Sequence, residues 1–107
     1  MGKLKAGLWV KARIRQCDLM GIPIVVARRG DADAGAILVK LVHPGGFCNV
    51  LTQFRNLEGD LQWVPAIGEE AIVEVDADAF ICRQVERDRD LWVIEIEDHL
   101  GTYILDE

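Results

Sequence analysis

The side chains best suited to chemistry are gathered in one stretch, Arg28-Arg29-Gly30-Asp31-Ala32-Asp33-Ala34-Gly35. Two guanidiniums can grip a phosphate or carboxylate through paired N–H donors. Two carboxylates one residue apart can ligate a hard cation. Glycines at both ends let main-chain N–H groups approach an anion. Each chemistry also demands a spacing. A calcium loop of the EF-hand type needs oxygen ligands at positions 1, 3 and 5, glycine at 6 and glutamate at 12. Counted from Asp31, the last three of these fall on Gly35, Ala36 and Val42, so that loop is excluded. A magnesium site built on two carboxylates ordinarily shares a phosphate. The glycine spacing matches neither a P-loop nor a dinucleotide fingerprint, and Asp31 and Asp33 repel an anion.

The stretch therefore reads first as a hairpin connection between two strands. In that reading Gly30 and Gly35 supply unusual dihedrals, and the aspartates bond their own backbone as Asx turns. Arg28 and Arg29 pair with these aspartates or with Glu95 and Glu97. The alternative is a small enzyme or a ligand- and phosphate-binding site, formed by Arg28, Arg29, Gly30, Asp31, Asp33 and Gly35 with Glu95 or Glu97.

Other catalytic options are narrow. The chain has no serine, and Thr52, Thr102 and Tyr103 are its only hydroxyl side chains. Cys17, Cys48 and Cys82 form no CxxC pair, so neither a zinc clip nor a disulfide framework is implied, and they read as thiols in a reducing compartment. The two histidines, His43 and His99, fall in turns. No metal, cofactor or catalytic residue is assigned. Trp9, Trp63 and Trp92 read as core before partner anchors.

Charge is unevenly spread. Residues 1–29 carry a net +6 and residues 30–107 a net −12. The preferred reading folds the basic segment back onto the acidic body. A basic arm for an acidic partner is the second reading, with Lys5, Trp9, Lys11, Arg13 and Arg15 as the partner surface. Nucleic-acid binding through the first helix is disfavoured, because dedicated nucleic-acid binders are basic overall. No apolar run is long enough to span a bilayer. The charges within MGKLKAGLWVKARIR leave no room for a signal peptide's apolar stretch. A soluble, cytoplasmic, single domain over residues 1–107 is expected.

These residues must be held by regular elements. The spacing predicts a helix over 7–20, with Val10, Ile14 and Cys17 on one side and Leu8, Ala12 and Leu19 on another. Apolar groups on two sides point to a helix covered by other elements, in part by a second subunit. Gly21 and Pro23 stop it. Residues 24–28 and 36–42 are apolar and β-branched, the pattern of central strands buried on both faces. Strands over 47–54 and 61–65 follow, the turns HPGG and NLEGD setting them apart. Short connections predict a four-stranded antiparallel meander. A second helix starts near Asp76 as its N-cap. In 91–98, Trp92, Ile94 and Ile96 face one way, and Leu91, Val93, Glu95 and Glu97 the other. Residues 102–105 pair back as a last strand. The expected class is α+β: two helices, a mostly antiparallel sheet of five to six strands, order αββββαββ.

Taken together, LWVKARIRQC, GIP, RRGDADAGAILVKL and LWVIEIED resemble a small bacterial family known as domain of unknown function 1491. The resemblance covers nearly the whole chain. It implies a compact domain and carries no activity, substrate, cofactor or catalytic residue with it. Where the family reads DPDLWV, this chain has Arg89 for the proline, which loosens the entry to the last long strand. The leading expectation is a non-enzymatic binding or regulatory module with a protein partner, itself capable of homo-oligomerising.

Overall fold

The first helix, α1 (Ala6–Met20), buries Ala6, Trp9, Val10, Arg13 and Cys17 along one face. It ends at Gly21, whose φ of 71° only glycine adopts freely; the Gly21 N–H reaches the Asp18 carbonyl and the Ile22 N–H reaches that of Cys17 at 2.8 Å. This computed structural model describes residues 5–105. After α1 come β1 (Ile24–Arg28), β2 (Ile37–Val42), β3 (Phe47–Arg55), β4 (Leu61–Pro65) and the two-residue β5 (Ile72–Val73). The second helix, α2 (Glu74–Arg87), follows directly, and β6 (Trp92–Glu97) comes last. The α+β class with two helices and a mostly antiparallel sheet is as the sequence predicts. α2 begins earlier than expected: its N-cap is Val73, and Asp76 lies with Glu74 in the first turn, where carboxylates favour the positive end of the helix dipole.

The sheet order is β1-β6-β2-β3-β4, with β5 paired to the start of β3. Strands β2, β3 and β4 form the expected antiparallel ladder. The expected β1–β2 pairing is absent. β6 lies between them, antiparallel to β1 and parallel to β2, so that Ile94 sits beside both Val26 and Val39. Short connections speak only for chain neighbours; here a strand from some fifty residues downstream displaces one of them. As a result β1 is an edge strand, with Val25 and Val26 exposed and a bulge between Val26 and Arg28. Bulges are a common guard on sheet edges. Residues 102–105 form no strand. They cross the α1 side of the sheet with Leu105 buried and the Thr102 and Tyr103 N–H groups bonded to the Asp98 carboxylate.

The two helices cover opposite faces. Trp9, Val10 and Cys17 of α1 pack with Val39, Leu41, Trp92, Ile94 and Ile96. Ala77 and Ile81 of α2 pack with Leu38, Cys48, Val50, Leu91 and Val93. β2 and β6 alternate between these clusters, which is why β2 reads as a nearly continuous apolar run, broken by Lys40. Among the described residues no helix is long and apolar enough to cross a membrane.

Candidate functional site

The arginine–aspartate–glycine stretch is the strap that carries the chain from β1 over the start of β6 to β2. It joins strands that are not neighbours, which corrects the hairpin reading. Two sheet spacings, about 10 Å, separate β1 from β2, and residues 29–36 cross that gap. The strap is sewn to β6: Asp31 N–H to Asp90 O at 3.0 Å, Trp92 N–H to Ala36 O at 2.9 Å, and the Trp92 indole N–H to Asp31 O at 2.7 Å. Neither Gly30 nor Gly35 has a left-handed φ. Their requirement is for space: a Cβ at Gly30 would fall 2.7 Å from Trp92 Cδ1 and closer still to the Asp90 carbonyl, and one at Gly35 would meet the same two groups. The Asp31 carboxylate accepts the N–H groups of Asp33 and Ala34, the expected Asx turn. The arginines do not turn to the aspartates. Arg28 donates to the Arg89 carbonyl at 2.8 Å, and Arg29 lies over the Trp92 ring, its Cζ 5.6 Å from the centroid.

The strap also touches α1, and this contact makes the site. The Gly7 N–H donates to Ala32 O at 2.9 Å, and Lys5 Nζ stands 3.7 Å from Asp33 Oδ1. Between α1, β1 and the strap lies a groove of about 490 Å³. Val10, Ile14, Val26 and Trp92 line its apolar part, and Lys5, Lys11 and Arg29 bring cations to it. Two candidate surfaces that the sequence kept apart are thus one.

Other members of those sets lie elsewhere. Trp9 and Arg13 face the sheet, with the Trp9 ring 5.2 Å from that of Trp63 and the Arg13 guanidinium 5.0 Å over Trp9 and bonded to the Tyr103 hydroxyl. They are core residues and cannot anchor a partner from the outer face of α1. Arg15 is exposed on that face. Glu95 and Glu97 lie about 10 and about 17 Å along β6 from Trp92, too far to share a cleft with the strap. Glu95 pairs with Lys40 and Glu97 with His99.

The family model described as "Protein of unknown function (DUF1491)" matches residues 4–106. The chain belongs to the DUF1491 family. A crystal structure of a DUF1491 family protein from Caulobacter crescentus CB15 is 37% identical with a TM-score of 0.87, covering 98% of this chain and 97% of its own. An NMR structure of a DUF1491 family protein from the same organism is 38% identical with a TM-score of 0.84, covering 99% and 96%. A solution structure of a protein from A. tumefaciens is 26% identical with a TM-score of 0.76, covering 99% and 98%. No curated protein matches the chain.

Two clusters in this DUF1491 chain escaped the sequence reading. Lys40, 4% exposed in the middle of β2, places its ammonium 2.7 Å from both Glu74 and Asp78 of α2 and 3.5 Å from Glu95. Burial opposes its charge, but hydrogen bonds to Asp78 and Glu74 and the charge of Glu95 outweigh burial and hold its pKa above the ordinary lysine value. The signal was a lone charge in the run AILVKLV. The second cluster ties the C-terminal segment to the β2–β3 turn. His43 Nδ1 lies 3.1 Å from the buried Asp98 carboxylate and Nε2 lies 2.7 Å from Asn49 Oδ1. Held on both ring nitrogens, by Asp98 and by Asn49, His43 clasps the two segments together.

Nor does the interior hold a primed nucleophile. Burial pushes the thiols of Cys17 and Cys48 and the phenol of Tyr103 above their usual pKa values, whereas reactive cysteines have depressed ones. Cys82 is exposed, and among the described residues no group of three or more His, Cys, Asp or Glu is placed to hold a metal ion.

Proposed function

We propose that this DUF1491 protein is a cytoplasmic, non-enzymatic binding module, and that its ligand is an acidic peptide segment bearing one bulky apolar side chain. One observation carries the reading: Lys5, Lys11 and Arg29, drawn from two distant parts of the chain, flank a single apolar groove. Of these cations only Lys5 has a carboxylate partner among the described residues, and that pair is largely exposed and worth little. The groove therefore retains positive potential beside an apolar floor. An acidic segment complements the rim, and an apolar anchor fills the space between Val10, Ile14, Val26 and Trp92. Cysteines that are all free thiols support a cytoplasmic setting.

Fluorescence anisotropy with labelled peptides, each placing Asp and Glu around a central Trp or Leu, tests the proposal. Binding is expected to weaken with added salt and to fall roughly tenfold or more in Arg29→Glu. Equal binding by that variant, or no binding by any acidic peptide, would overturn the groove as the ligand face. A duplex DNA probe run alongside serves as the competing outcome. Tighter binding of DNA, falling steeply with salt, would move the reading to nucleic acid.

A further inference from the structure

The outer side of α1 carries a second pattern, which meets the groove at Leu8 and Lys11 and runs away from it toward Leu19. Leu8, Ala12, Arg15 and Leu19 recur at spacings of four, three and four, the rhythm of a helix-pairing seam. All four lie on the side of α1 opposite Trp9, Val10, Arg13 and Cys17, which face the sheet. Among the described residues no element covers them: Leu8 is 55% exposed and Leu19 is 81% exposed. At the end of the seam Leu19 and Met20 join Leu100 and Ile104 around a cleft of about 620 Å³, and all four side chains are well exposed. Contiguous apolar surface of this kind is uncommon on a monomer and marks an interaction site.

We infer that this seam joins two copies of the chain through antiparallel pairing of their α1 helices about a twofold axis. The seam's own charges select this occupant over a foreign partner. Lys11 and Asp18 lie on the same flank of the seam, seven residues apart, and both are exposed. When two such helices run antiparallel, Leu8 of each copy meets Leu19 of the other. The same register brings Lys11 of each beside Asp18 of the other, giving two symmetry-related opposite-charge contacts. Ala12 at the middle lets the helices approach closely. Leu8 of the second copy then seats at the cleft bounded by Leu19, Met20, Leu100 and Ile104. The cleft's polar groups are engaged within the chain, Arg13 with the Tyr103 hydroxyl, Glu97 beside His99 and Asp98 with His43 and the Thr102 and Tyr103 N–H groups, which leaves its exposed apolar side chains for the visitor. A twofold uses ridge and cleft twice, yet a single helix pair is a small contact, and small interfaces are weak and transient. The dimer is accordingly reversible. Leu8 and Lys11 also stand at the rim of the cationic groove, while Val10 and Ile14 of its floor lie on the other side of α1. Leu19→Arg, which touches no groove residue, and Arg29→Glu, which touches no seam residue, therefore test the two proposals apart.

Sedimentation velocity from about 1 µM to about 300 µM, a span that brackets a micromolar Kd, tests the dimer. The wild type is expected to pass from monomer to dimer across that range. Leu19→Arg, at an exposed position, is expected to raise the dissociation constant about a hundredfold and stay monomeric. Lys11→Asp and Asp18→Lys alone place like charges opposite one another, and each is expected to weaken the dimer about tenfold. The double variant restores opposite charges and is expected to return within about threefold of the wild type. A wild type that stays monomeric throughout, a Leu19→Arg variant that dimerises normally, or a double variant no better than the singles would each overturn the antiparallel α1 pairing.

Discussion

The two faces of the sheet handle positive charge in opposite ways. On the α2 face a single lysine, Lys40, is sunk into the core and surrounded by Glu74, Asp78 and Glu95. On the α1 face Lys5, Lys11 and Arg29 stand beside an open groove with one weak ion pair among them. The first arrangement is complete within the chain. Its attraction is spent on pinning α2 to β2 and β6. The second holds charge in reserve beside exposed apolar surface. A cluster of charges is therefore a poor marker of a site until its partners are counted, and that count is why the proposed ligand face is the α1 face.

If the contrast is right, perturbing the two faces should have effects of different kinds. The largest is expected from Lys40→Ala, which leaves three carboxylates facing one another. Urea unfolding should show a loss of about 2–3 kcal/mol, below the range for a fully buried pair because Glu74 and Asp78 are half exposed and water screens them. Lys40→Met, which keeps the apolar stem, should lose distinctly less. Neither should alter peptide binding at the groove, and a change there would break the contrast. Next comes Gly30→Ala, expected to cost about 1–3 kcal/mol by driving a methyl group into the Asp90 carbonyl and the Trp92 ring. Because the strap forms one wall of the groove, this variant should also impair binding.

Smaller again is the response to alkali. Cys17, Cys48 and Tyr103 have raised pKa values in the folded chain, so the unfolded chain releases their protons first. Stability is then full below the unfolded thiol value, about pH 8.5, and declines as pH rises beyond it. Lys40 acts with the same sign, but only above its higher unfolded value. Thermal melts should give a steady Tm from pH 7 to about 8 and a falling one above about 8.5, with a shallower fall in Cys17→Ala/Cys48→Ala. The smallest stability effect is assigned to Arg29→Ala. It removes only a partly exposed cation–π contact, worth about 0.5–1 kcal/mol, while weakening ligand binding much more. That separation of stability from binding is the sharpest mark of a residue held for a partner.

Much of the architecture was legible because its causes are local. Gly21 and Pro23 end α1 where the chain says they should, and the alternation of Trp92, Ile94 and Ile96 with Leu91, Val93 and Glu95 foretells which side chains meet each helix. Neighbour order in the sheet was not legible, since the insertion of β6 is decided by packing between residues far apart in the chain. The same distance hid the reason for Gly30 and Gly35. Both looked like dihedral glycines, yet the groups that demand them, the Asp90 carbonyl and the Trp92 ring, lie about sixty residues on. Lys40 was visible as an oddity in an apolar strand, but its partners Glu74 and Asp78 stand 34 and 38 residues away. The basic N-terminal segment was expected to fold back onto the acidic body. Among the described residues Lys5 reaches Asp33, while Arg28 and Arg29 turn to a carbonyl and an indole.

The placement of β6 also has a bearing on how the protein is born. The interior strand β6 is the last of the described strands to leave the ribosome, so β1 and β2 wait with their facing edges unpaired while some fifty residues are still being added. Unpaired edges invite association with other chains. The nascent polypeptide is most vulnerable in the interval before β6 emerges, and a chain cut short after α2 should not misfold mildly but aggregate.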